Sequence, residues 1–253
     1  MTTFYPESRF GGFTDIDGTI HFYSRVRSLA GSSTTILDFG CGRAEYSEDP
    51  IEFRKSLRIL RSPGRRVIGM DVDPAGQTNP YIDEFHLLQE NRSWPVNAGS
   101  VDLVVADWVI EHLPNPDHFF QEAHRCLKTN GHLCLRTTNR ISYVGLASYL
   151  VPNRMHSAVL LRAQKDRKHE DIFPTLYRCN SVFKMRDQMK QHRFDAVVYG
   201  FESEPRYLEF SRLAYLCGVL HQRLAPSVFR PVIFAFGRKI EPKSSNGHPA
   251  LPG

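Results

Sequence analysis

The sequence predicts an α/β fold, a mostly parallel sheet with helices on both faces, and three observations carry that expectation. Short apolar, β-rich runs alternate with helical patterns along most of the chain. A glycine-rich turn follows the first run, and an acid closes the second. The length, 253 residues, gives room for one such domain with a real core and little for a second.

The runs at 35–39, 66–71, 84–88, 102–106, 132–137, 195–199 and 228–236 read as strands. Helices are expected at 46–60, 116–127, 181–191 and 206–224. The second of these has Pro116 in its first turn and stops before Asn130-Gly131, a good pair of start and stop signals. Ser181, or Asn180 just before it, can cap the third. Residues 1–240 are expected to form a single domain, with 1–30 as a helix-containing N-terminal extension. The stretch 139–180 exceeds an ordinary connection and is expected to be an insertion that acts as a substrate lid. The polar, Pro- and Gly-rich tail 241–253 is expected to be disordered.

Composition narrows the class. The 41 % hydrophobic content suits a globular protein without a membrane span, since no apolar stretch approaches the ~20 residues a span needs. The net charge of +5 is mildly basic, and no run of Lys and Arg accompanies it, so there is no strong nucleic-acid signal. An anionic substrate or a membrane surface would suit the charge equally. Cys41, Cys126, Cys134, Cys179 and Cys217 are widely spaced without a CxxC pair, which argues against a zinc site and a disulfide framework. Reduced thiols in a cytoplasmic protein are the expectation. The N-terminus has no apolar core of a signal peptide.

The chemistry concentrates at Ile36-Leu37-Asp38-Phe39-Gly40-Cys41-Gly42, where the first strand turns toward a helix. Glycines at 40 and 42 allow a ligand to approach the main chain, and they reach dihedrals that a Cβ disfavours. Asp38 can organise this loop and meet the amino group of a bound amino-acid moiety. Val67-Ile68-Gly69-Met70-Asp71 is an apolar strand ending in an acid beside that loop, placed to accept hydrogen bonds from two ribose hydroxyls. An NAD site would want GxGxxG for a pyrophosphate. Here Asp38 and Glu45 flank Gly40-x-Gly42-x-Ala44, and two carboxylates repel a diphosphate but suit a cationic, amino-bearing ligand. S-adenosylmethionine (SAM) is therefore favoured over NAD.

Over residues 35–140 these motifs resemble the class I SAM-dependent methyltransferases, the small-molecule group often called methyltransferase type 11. The resemblance rests on Ile36 to Gly42, on Val67 to Asp71, and on Ser100-Val-Asp-Leu-Val-Val-Ala-Asp-Trp-Val-Ile-Glu-His-Leu113. It extends to Asn130-Gly131-His132-Leu133-Cys134-Leu135. It implies a Rossmann-like three-layer α/β/α sandwich, whose mostly parallel seven-stranded sheet closes with an antiparallel C-terminal hairpin. It also implies SAM as cofactor, held by Asp38, Gly40, Cys41, Gly42, Asp71, Val72, Glu90, Asp107 and Trp108. Two departures stand out: Ala44 replaces a common third glycine, and Gln89, Glu90 and Asn91 all lie near the place of the adenine-binding acid.

Methyl transfer is an in-line displacement, and much of its rate can come from positioning. A hydroxyl acceptor would need a base, and His112 after the fourth strand is the candidate, with helix packing as its alternative role. Glu111 and His112 lack a third ligand, so no metal is expected. The acceptor is expected to be a small molecule, a sugar or a lipid-like compound. Arg154, His156, Lys165, Arg167, Lys168 and His169 could grip an anionic one, or form a solvated face. Phe173-Pro174-Thr175-Leu176-Tyr177-Arg178-Cys179-Asn180 resembles a segment that follows the fifth strand and borders the acceptor in some methyltransferases of this group. The 206–224 helix is apolar over much of its circumference. Burial between the insertion and the sheet is expected, with an acceptor pocket or a membrane surface as alternatives.

Two rival classes remain. Asp15-Ile16-Asp17-Gly18-Thr19 matches the DxDGT nucleophile motif of Mg²⁺-dependent phosphatases, but no apolar strand precedes it. A turn that caps a helix beginning near Ile20 is the simpler expectation. A non-catalytic SAM-binding module is the other.

Overall fold

The computed structural model describes residues 3–89, 92–150 and 174–241. Seven strands form one sheet: β1 (Thr35–Phe39), β2 (Arg66–Asp71), β3 (Glu84–Leu87), β4 (Val101–Asp107), β5 (Leu127–Thr138), β6 (Phe194–Phe201) and β7 (Val232–Lys239). Their order is β3-β2-β1-β4-β5-β7-β6. The first five strands run parallel, and β7 lies antiparallel between β5 and β6. This is the mostly parallel seven-stranded sheet with a closing antiparallel pair that the sequence predicts. The winding reverses between β1 and β4, so their carboxyl ends open the crevice where ligands of such sheets bind.

Strand periodicity sorts the core into two layers. In β4, Val104 and Ala106 face one side and Leu103 and Val105 the other. The first side packs on Phe119, Phe120 and Ala123 of α3 (Pro116–Cys126) and on Val182, Met185 and Met189 of the helix Val182–Gln191, which we call α5. The second packs on Phe22, Tyr23 and Val26 of α1 (Gly18–Leu29), with Leu57 of α2 (Glu52–Arg58) at its margin. Truncating a ring such as Phe119 to alanine should cost about 3–5 kcal/mol. The other α-helices among the described residues are α4 (Tyr143–Leu150) and α6 (Arg212–Leu224). Among the described residues, no helix is long and apolar enough to cross a membrane.

Several boundaries differ from expectation for local reasons. The helix expected at 46–60 is a 3-10 turn, Glu45–Glu48, followed by the short α2. Asp49 precedes Pro50, and its extended backbone breaks the run. The helix expected at 206–224 likewise divides into a turn, Arg206–Leu208, and α6, which Ser211 caps through the Ala214 amide. The last strand starts at Val232 rather than at 228, because Ser227–Phe229 form a 3-10 turn. Within the expected insertion, 151–173 lies outside the described residues, as does 242–253 of the expected tail.

Candidate active site

The glycine loop is pinned to the tip of β2. Gly40 and Gly42 have φ of +75° and +53°, and a Cβ on Gly40 would sit 2.2 Å from Val109 Cγ2. The amides of Gly40 and Cys41 donate to the Met70 carbonyl at 2.7 and 3.2 Å. The Gly42 amide donates to Asp71 Oδ2 at 2.9 Å, and Asp73 N donates to Asp71 Oδ1 at 2.9 Å. Asn79 Nδ2 closes the loop from below by donating to the Cys41 and Gly42 carbonyls at 3.0 and 3.2 Å. Asp71 is thus a brace of the loop as well as the acid at the strand tip. Each of its oxygens keeps a lone pair for a further donor. Burial raises its carboxyl above the usual range. Val72, next to it, presents an exposed apolar side chain toward solvent.

Asp38 is the loop's open feature. Among the described residues, no donor hydrogen-bonds its half-buried carboxylate, and its pKa is pushed up to about 7. Desolvation is the main cause; repulsion from Asp107 and Asp71 adds to it, and the Arg58 guanidinium opposes it. A carboxylate in this state gains most from a cation placed against it. The residues therefore fit a donor that brings an ammonium group and a ribose diol to one loop, and fit a diphosphate poorly.

On β4, the neighbour of β1 in the sheet, Asp107 is the opposite case. Arg136, its register partner on β5, grips both oxygens, with Nε–Oδ1 at 2.6 Å and Nη2–Oδ2 at 2.7 Å. Tyr23 donates to Oδ2 at 2.9 Å, and Arg58 Nη2 lies 3.5 Å away. Burial alone would raise this acid, but Arg136 and then Arg58 outweigh it and hold the carboxyl below the usual range. Arg136 reaches on to Thr19 Oγ1 at 2.9 Å, with its guanidinium 5.2 Å from the ring centroids of Phe22 and Trp108. Trp108 takes a left-handed backbone (φ 59°), held by its amide bond to the Arg136 carbonyl at 2.9 Å. Asp107 and Trp108 thus border the crevice, with both Asp107 oxygens already engaged.

His112 and Glu111 clasp the segment beginning at Pro174. His112 Nδ1 lies 3.0 Å from the Pro174 carbonyl, which accepts its hydrogen. Glu111 is buried; its carboxylate accepts from Thr137 Oγ1 at 2.7 Å, and its carbonyl accepts from the amides of Leu176 and Tyr177. Asn180 Nδ2 donates to Thr137 Oγ1 at 2.7 Å and completes this network. Of the expected adenine contacts, Glu90 and Asn91 lie outside the described residues. Among the described residues, no group of three metal-ligating side chains occurs.

Asp17 resolves the DxDGT motif. Its carboxylate caps α1 through the amides of Thr19 and Ile20 and pairs with Arg54 at 3.0 Å, so the motif serves as a helix start. The sequence reading missed Asn79, Arg58, Arg136 and Tyr23. It also missed a buried group at the end of β6, where Glu202 accepts from Tyr143 at 3.2 Å and binds His221 Nδ1 at 2.8 Å. Arg136 alone carried a signal, as a charge in the apolar run of a central strand.

Comparisons with known proteins show the family and the fold. Residues 14–177 match the model of a methyltransferase domain family. A protein of Mycolicibacterium smegmatis that carries the name of an S-adenosylmethionine-dependent methyltransferase is 33 % identical over 43 % of this chain and 39 % of its own length. A ubiquinone biosynthesis O-methyltransferase of Acinetobacter baumannii is 29 % identical over 46 % of this chain and 48 % of its own. The chain thus spans less than half the length of these relatives. A SAM-dependent methyltransferase structure from Thermotoga maritima superposes with a TM-score of 0.52 at 14 % identity over 93 % of both chains, which shows the shared fold. The chain belongs to the methyltransferase domain family, as a member of the class I SAM-dependent methyltransferases.

Proposed function

We propose that this chain transfers a methyl group from SAM to a small-molecule acceptor. The observation that carries the reading is the Asp38 carboxylate, pushed up by burial and without a hydrogen-bond donor among the described residues, beside a glycine loop that Asp71 braces. When bound, SAM supplies a methyl on a positively charged sulfur. Asp38 receives the donor's ammonium, the Gly40-Cys41-Gly42 main chain lies against it, and Asp71 accepts from its ribose hydroxyls. Val72 offers an apolar face to its base, and Glu90 is the proposed adenine partner. Asp107 and Arg136 keep the wall beside the sulfur rigid, with Trp108 at its edge.

For an oxygen acceptor, His112 is the proposed base. Its Nδ1 hydrogen bond to the Pro174 carbonyl orients the ring after the fourth strand. The Acinetobacter relative, named for O-methylation, supports an oxygen acceptor. Sugar and lipid-like acceptors fall within the same reading. Calorimetry should give micromolar binding of SAM and none of NAD, and labelled SAM should methylate a component of a metabolite or lipid extract. Tight NAD binding without SAM binding would end the proposal.

A further inference from the structure

Helix α6 carries two apolar faces, and among the described residues one of them is left exposed. Inward, Tyr215 and Val219 pack with Tyr5, Phe4 and Ile16 of the N-terminal segment, and a Cβ on Gly218 would lie 2.6 Å from Pro205 Cβ. The helix is therefore firmly seated. Outward, Leu213, Leu216, Cys217, Leu220 and Leu224 are exposed; their spacing places them within an arc of about 100°. Leu213 is 72 % and Leu224 77 % exposed, and Phe210, just before the helix, is 81 % exposed. The inward side is thus buried against the N-terminal segment, whereas 151–173 of the insertion expected to cover this helix lies outside the described residues.

The charges around the face identify its partner. The helix sequence, RLAYLCGVLHQRL, contains no Asp or Glu. Arg212 and Arg223 are exposed, lie three turns apart along the same edge of the apolar arc, and make no ion pair among the described residues. A second copy of the chain is a poor match. A face of roughly 20 Å by 10 Å offers about 200 Å², against the ~800 Å² per partner of a stable interface. A twofold pairing of the helices would also set Arg212 against Arg223 of the other copy. Acyl chains for the leucines and phosphates for the arginines satisfy both features at once.

We propose that the outward face of α6 docks the protein on a membrane surface carrying anionic headgroups, with Leu213, Leu216, Leu220 and Leu224 in the acyl boundary and Arg212 and Arg223 at the phosphates. The helix lies in the plane of the interface and does not span it. This docking is independent of the methyl-transfer reading and survives its failure.

The test uses co-sedimentation of the full chain with phosphatidylcholine vesicles, with and without about 30 % phosphatidylserine. Binding should be clear only with phosphatidylserine and should weaken with salt, as screened charges require. The double variant Leu213→Glu, Leu220→Glu should lose at least about tenfold in binding, and Arg212→Glu, Arg223→Glu should lose about fivefold per arginine. Melting temperatures equal to that of the unaltered protein would show that both variants remain folded. Of the five cysteines, only Cys217 is exposed, so an environment-sensitive fluorophore there reports whether this face enters lipid. Its emission should shift to the blue on the anionic vesicles. No binding to either vesicle, or equal binding by the leucine variant, overturns the proposal. A blue shift that follows protein concentration without vesicles, together with a dimer in sedimentation, assigns the face to a second copy instead and also overturns it.

Discussion

Asp38 and Asp107 sit at the ends of the two strands, β1 and β4, that flank the reversal of the sheet, yet the protein treats them in opposite ways. Asp107 is gripped at both oxygens by Arg136, joined by Tyr23 and Arg58, and held below the usual carboxylate range. Asp38 has no donor among the described residues and is pushed up to about 7. The difference teaches how the crevice divides its work. One carboxylate is spent on rigidity, and the other is kept short of partners so that a cationic ligand can supply one. Stability and binding should therefore respond to the two residues in opposite directions.

The largest expected effect is on the rigid side. Arg136→Met leaves Asp107 buried without its main partner and should destabilise the fold by about 3–5 kcal/mol, read as a lower urea midpoint. An unchanged midpoint would mean that Arg58 and Tyr23 suffice to hold Asp107. On the open side, Asp38→Asn should weaken SAM binding by about 30- to 100-fold, the loss of one charge-assisted contact, in calorimetry. The same variant should melt no lower, and at pH 8 should melt higher, because it removes a charge that the free fold holds poorly. Loss of both binding and stability would make Asp38 a brace like Asp107 and would erase the contrast.

How much of this was legible in the sequence depends on how far apart the partners lie. The glycine loop, Asp71 and the helix cap at Asp17 are local patterns, and the sheet follows from alternating runs. The brace at Asp107 draws Tyr23, Arg58 and Arg136 from three elements, and only the strand order brings them together. No spacing in the chain announces that. The division of the 46–60 helix could have been read from Asp49-Pro50. The outward face of α6 could not, because a helix that is apolar over much of its circumference gives no sign of which side its own fold will cover.

The smallest effect sharpens the loop. Ala44, just after the two loop glycines, has φ +66° and is buried, so the loop holds an alanine in the left-handed region. Ala44→Gly should relieve about 1 kcal/mol and raise Tm by about 2–4 °C, measured by a thermal melt. A fall in Tm would show that packing of the methyl outweighs the strain.

The central claim is that Asp38 awaits a cation, and proton linkage tests it directly. With a pKa near 7 in the free protein, Asp38 is about half protonated at neutral pH and must ionise to hold the donor's ammonium. Calorimetry of SAM binding at pH 7 in buffers of different ionisation enthalpy should show about half a proton released per SAM bound. Affinity should fall by up to about tenfold per pH unit below pH 7 and level off above pH 8, and Asp38→Asn should abolish both effects. Tight SAM binding with no proton release and no pH dependence in the unaltered protein would contradict the account.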